Sequence, residues 1–93
     1  MKFMLTVDWA KTELDEVGAK FLGGEDVDPP AGVELISRWH DLSSRQAWLV
    51  VETADTKAVQ SWMSAWSDFI DWETYMIMDD AECQEVLRSV LDD

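Results

Sequence analysis

Arg38, Trp39 and His40 stand side by side in the chain and bring together the residue types with the most chemistry to offer. His40 is the one histidine, and its ordinary pKa lies near neutrality, which makes it the candidate general acid or base. Arg38 carries a planar fork of donors that fits a carboxylate or enolate oxygen, so it is the candidate oxyanion stabiliser beside that base. The plain alternative is that Arg38 pairs with one of twenty carboxylates and His40 closes a strand next to a turn. No partner constellation in the sequence decides between the two.

The six tryptophans divide by position. Trp62, Trp66 and Trp72 read as core. Trp9 and Trp48 either line a pocket, where a flat ring adds apolar area at little entropic cost, or anchor a dimer. Thr6, Asp8, Trp48 and Tyr75 are the candidate ligand-binding residues, all on strands. Other chemistries find little support. One histidine and one distant cysteine, Cys83, do not make a zinc site, and Cys83 reads as a buried, inert thiol. The pairs Asp26/Asp28 and Asp79/Asp80 lack calcium-loop spacing. Ser43-Ser44 has no base nearby, and Gly23-Gly24 follows a helix where a phosphate loop would precede one. No metal or cofactor is expected.

The elements that position these residues follow from periodicity. Residues 3–9 alternate with apolar side chains at Phe3, Leu5, Val7 and Trp9, the pattern of a strand with one face in a core. From Thr12 the period becomes helical through Leu14, Val17 and Phe21, and Gly23-Gly24 stops it. Residues 25–32 form a connection. Residues 33–40 and 46–53 are two strands joined by a short turn, hence an antiparallel hairpin. Asp55 caps a helix whose stripe runs Ala58, Val59, Trp62, Met63, Trp66, Phe69 and Ile70. A strand over 72–78 follows. Asp79 and Glu82 then form a capping box for a last helix carrying Cys83, Val86, Leu87, Val90 and Leu91. The order is βαββαβ plus a C-terminal helix, which predicts a single α+β domain over 1–93. Its fold is ferredoxin-like, with a four-stranded antiparallel sheet and two helices on one face.

Parity assigns faces. Ala47, Leu49 and Val51 belong under the helices. Pairing Ser37 with Leu49 sets Trp39 opposite Ala47, Arg38 opposite Trp48 and His40 opposite Gln46; a slip of one residue reverses the second strand. On that register Arg38 and His40 join Met4, Thr6, Asp8, Trp48 and Tyr75 on the open face of the sheet. Trp72, Thr74 and Met76 point inward.

Charge removes whole classes of partner. Seven Lys plus Arg against twenty Asp plus Glu leave −13, a field that repels nucleic acid and anionic membranes. No apolar run approaches the roughly 20 residues of a spanning helix. Disorder fails as well, because 47% of the residues are hydrophobic. With no apolar leader at the N-terminus, a cytoplasmic location is expected.

The stretches MKFMLTVDW, PPAGVELISRWH, AWLVVETAD, WSDFIDWE and MDDAE resemble, in that order, the small bacterial domain-of-unknown-function family 3303. Tyr75-Met76 departs from the family pattern, where a proline is expected. The resemblance implies a ferredoxin-like domain related to dimeric α/β-barrel proteins. It implies a homodimer through the open sheet face, with a cavity between sheet and helices for a small apolar or aromatic molecule. It transfers no catalytic residue. Three functions follow as expectations: a non-catalytic small-molecule-binding or accessory protein using the open face, a cofactor-independent monooxygenase or isomerase with His40 as base, and an acidic protein-interaction module.

Overall fold

The computed structural model describes residues 1–92. Strand β1 (Lys2–Asp8) leads through a 3₁₀ turn at Lys11–Glu13 into helix α1 (Leu14–Gly23). Strands β2 (Val33–Asp41) and β3 (Gln46–Thr53) form the hairpin, followed by α2 (Thr56–Ser64), β4 (Asp71–Ile77) and α3 (Asp80–Leu91). The strands lie in the order β2-β3-β1-β4, all antiparallel, so the ferredoxin-like α+β architecture expected from the sequence is the architecture found. No helix among the described residues is long and apolar enough to cross a membrane.

The core forms where the inward parity positions meet α2. Phe3 and Leu5 of β1 and Leu49 and Val51 of β3 pack against Val59, Trp62 and Met63. A second cluster joins Trp9, Ala47, Trp66 and Ile70. The start of α2 is well held. The Asp55 carboxylate accepts from the Lys57 and Ala58 amides at 3.1 and 3.2 Å. The buried Thr53 hydroxyl donates to the Gly32 carbonyl at 2.7 Å and accepts from the Asp55 amide at 2.9 Å. The helix ends earlier than its apolar stripe suggests. From Ala65 the chain passes into turns, and the Phe69 and Ile70 amides both donate to the Trp66 carbonyl.

The hairpin register corrects the expectation. Val33 pairs with Thr53 and Leu35 with Val51, as parity requires, but Ile36 is an extra residue in the ladder. Beyond this β-bulge Arg38 lies opposite Leu49, Trp39 opposite Trp48, and His40 opposite Ala47. An inserted residue shifts every later side chain to the other face. Arg38 and His40 therefore project to the helix side, and Trp39 takes the open face. The turn fixes the shift from its own end. The Asp41 carboxylate accepts from the Ser43 and Ser44 amides at 3.0 and 3.3 Å, and Arg45 adopts a left-handed φ of 59°. Asp41, not His40, thus becomes the partner of Gln46.

Two helices are seated unlike α2. α1 ends at Gly24, whose φ of 78° is the left-handed cap expected there, yet none of its residues is buried. α3 starts with the foreseen capping box of Asp79 and Glu82. Lys2 on the open face of β1 reaches Glu82 at 3.2 Å and Asp79 at 3.7 Å. Beyond that first turn the helix buries nothing, and the molecule extends 52 Å along its longest axis. Cys83 is a free, half-buried thiol, so its expected burial does not hold.

Candidate functional site

α1 buries no residue fully, although its Val17 packs against the Trp9–Trp66 cluster, and a cavity of about 500 Å³ lies beneath it. Its floor is Val7, Ala47 and Leu49; α1 supplies Val17, Gly18 and Phe21; Trp62, Met63 and Trp66 close one side. A side chain added at Gly18 would meet nothing within 4 Å, so the missing Cβ there leaves real space. The lining is otherwise aromatic and aliphatic apart from Asp26, Arg38 and His40. A pocket of this kind, apolar with few polar groups, suits a small molecule.

Three of the lining side chains stand together. The Arg38 Nη1 donates to the Val27 carbonyl at 2.8 Å, and its guanidinium carbon lies 5.3 Å from the centre of the Phe21 ring. Phe21 in turn meets the His40 ring edge-on at 5.1 Å and 73°. His40 is exposed at the mouth and makes no hydrogen bond among the described residues. Partial burial, and secondarily the Arg38 charge, push its pKa below the usual imidazole value, so the ring is neutral at pH 7.

Val27 is held in place by a device the sequence concealed. The indole N–H groups of Trp62 and Trp66, one turn apart on and just after α2, both donate to the Asp26 carbonyl, at 2.7 and 3.0 Å. Asp26 adopts a φ of 57°, a left-handed conformation that aspartate tolerates. Lys20 of α1 ties the same loop down, reaching the Asp26 carboxylate at 3.4 Å and the Ala65 carbonyl at 2.9 Å. The 25–32 connection, aperiodic in sequence, is thus a clamped wall. The signal available was the four-residue spacing of two tryptophans, each with a polar handle. Trp9 also lines the cavity, and its Nε1–H is the one buried side-chain polar atom among the described residues with no hydrogen-bond partner.

The remaining candidates lie across the sheet. Thr6 pairs with Trp48 and Asp8 with Gln46, and all four line a separate depression of about 490 Å³ on the open face, together with Asp71 and Glu73. Tyr75 stands outside it, opposite Met4, with its hydroxyl donated to the Glu73 carboxylate, which raises the phenol pKa. The six residues singled out from sequence therefore form two groups separated by the thickness of the sheet. Among the described residues, no three His, Cys, Asp or Glu side chains gather in metal-binding geometry.

The sequence profile of a domain of unknown function, DUF3303, matches residues 1–91. The chain belongs to the DUF3303 family. Two solved structures are similar in backbone to this DUF3303 chain. One is a candidate antibiotic biosynthesis monooxygenase from Deinococcus radiodurans, 10% identical, covering 85% of this chain and 94% of that one with a TM-score of 0.49. The other is SCO4226 from Streptomyces coelicolor A3(2), 17% identical, covering 84% and 98% with a TM-score of 0.48. No curated protein matches the sequence. At such identities the likeness assigns no residue a role, so what this DUF3303 domain does must be argued from its own cavity.

Proposed function

We propose that this domain binds a small, largely apolar molecule in the cavity between α1 and the sheet, and that it does so as a non-catalytic binding or accessory protein. The observation that carries the reading is the cavity itself: about 500 Å³ roofed by a helix with no buried residue. The orphaned Trp9 donor in its wall fits a site completed by an acceptor from outside the chain. Pairing of two copies through the open sheet face and a cytoplasmic location belong to the same reading. Trp39, 69% exposed, stands opposite Trp48 on that face, and exposed aromatic area of this kind suits burial against a second copy.

Catalysis is the second reading, favoured by one observation. His40 and Arg38 face the same cavity, and His40 is neutral and so able to accept a proton. Against it, no hydrogen bond fixes the tautomer of His40, and Thr6, Asp8, Trp48 and Tyr75 lie on the far side of the sheet from any substrate His40 reaches.

The test is titration of the purified chain with the neutral fluorophore N-phenyl-1-naphthylamine. Saturable binding with one site per chain is expected, with quenching of the cavity tryptophans. Absence of saturable binding, or binding unchanged in a Gly18→Leu variant that fills the space, removes the proposal.

A further inference from the structure

Resting on the cavity reading above, we infer that the ligand is a monoanion, an apolar or aromatic body bearing one carboxylate, and that Arg38 is its counter-ion. Charge in this chain is unbalanced. Acids outnumber bases twenty to seven, so a cation here has every opportunity to find a carboxylate. The amino terminus does, at Glu52; Lys2 does, at Asp79 and Glu82; Lys20 does, at Asp26. Lys11, Arg45, Lys57 and Arg88 make no such pair among the described residues, but of the unpaired cations Arg38 is the one that lines the cavity. Arg38 is half-buried, and a cation in such a place gains most from a counter-charge. Yet among the described residues no carboxylate oxygen lies within ion-pairing distance of it. Its hydrogen-bond partner is a backbone carbonyl, that of Val27, taken by one of the five N–H donors a guanidinium carries.

Two acids near it in the chain are engaged elsewhere, while Asp28, next to Val27, is exposed and pairs with no cation among the described residues. The Asp26 carboxylate, on the loop that holds Val27, is turned to Lys20. The Asp41 carboxylate, at the end of the strand that carries Arg38, is spent on the Ser43 and Ser44 amides of the turn. Phe21 presents its ring to the guanidinium, which eases desolvation without neutralising the charge. The fork is therefore left with donors and charge to offer in the wall of a largely apolar cavity.

The geometry narrows the ligand class. A carboxylate accepts two parallel N–H bonds from a guanidinium and is ionised at neutral pH, whereas a phenol with a pKa of about 10 is not. One cation balances one charge. A phosphate monoester would bring a second negative charge into a cavity without another cation and into a molecule already at −13. The neutral His40 ring at the mouth can donate one further hydrogen bond to the same head group.

The experiment compares 2-naphthoate with its neutral isostere 2-naphthamide, by calorimetry and tryptophan quenching on the full chain, with N-phenyl-1-naphthylamine as the reference for the cavity. The naphthoate is expected to bind at least tenfold more tightly than the amide. Arg38→Gln should reduce that ratio to about one, and Arg38→Lys should keep a preference for the anion. Equal binding of naphthoate and naphthamide to the unmodified chain, with the fluorophore still bound, overturns the monoanion and leaves the cavity. Failure of all three probes overturns the cavity and the inference together. The comparison on the unmodified chain decides the matter even where the Arg38 variants do not fold.

Discussion

His40 lies across the β2–β3 ladder from Ala47, and that single pairing turns its imidazole to the helix side, against the edge of Phe21, instead of onto the open sheet. The consequence is measurable because the chain has one histidine. By NMR, His40 is expected to titrate below the ordinary 6.5, and Phe21→Ala should bring it back further than Arg38→Gln, since burial is the larger cause. An unshifted titration would contradict the register.

The same shift couples to stability. The unfolded chain takes up a proton on His40 at higher pH than the folded one does, so it binds more protons between the two pKa values. Stability from this residue is present above about 6.5 and is lost as pH falls through the folded pKa. In urea melts, His40→Ala should flatten the decline in that window. A variant that declines as steeply as the parent would place the effect elsewhere.

Gly18 is a helix-interior glycine with open space where a Cβ would be. Gly18→Ala should therefore stabilise the fold by about 0.5–1 kcal/mol, through helix propensity alone. A loss of stability in chemical denaturation would show that the space at Gly18 is closed in solution.

The α2 entrance offers the opposite case. Thr53→Val leaves the Asp55 amide and the Gly32 carbonyl without the hydroxyl that serves both, and should cost about 1–3 kcal/mol. Asp55→Ala, which removes an exposed cap, should cost about 1 kcal/mol. A Thr53 variant less damaging than the Asp55 variant would reverse that ranking of the two.

The proposed self-association through the open face would set apolar gain against the repulsion of two molecules at −13 each. Salt screens that repulsion, so the dimer is expected to tighten by sedimentation when NaCl rises from about 0.05 to 0.5 M, where the Debye length shortens several-fold. Trp39→Ser should weaken it tenfold or more. A monomer at micromolar concentration in high salt would remove the pairing.

How much of this was legible in the sequence depends on the range of the interaction responsible. Element order, the Gly24 and Asp55 caps and the Asp79–Glu82 capping box are local, and each was readable from residue spacing. The inward parity of β1 and β3 was readable for the same reason, since apolar alternation marks the buried face; β4, whose inward Thr74 and Met76 are exposed, shows no such pattern. The bulge was not. Leu35 and Ile36 are both apolar, so nothing in the pattern shows which is the extra one, and the error carried Arg38 and His40 to the wrong side. The Asp26 carbonyl that joins two indoles was hidden as well, because a backbone atom has no signature in sequence.

α1 contributes no fully buried side chain, and Gly18 adds none to the space beneath it. On the proposed reading, the domain encodes most of a core and leaves one volume to be filled by a ligand. With a ligand at a hundred times its Kd, that filling adds about 2.7 kcal/mol to folding, a large share of what a chain this size has in total. The lifetime of the protein in the cell would then track the concentration of its ligand, and the fold itself would act as the gauge.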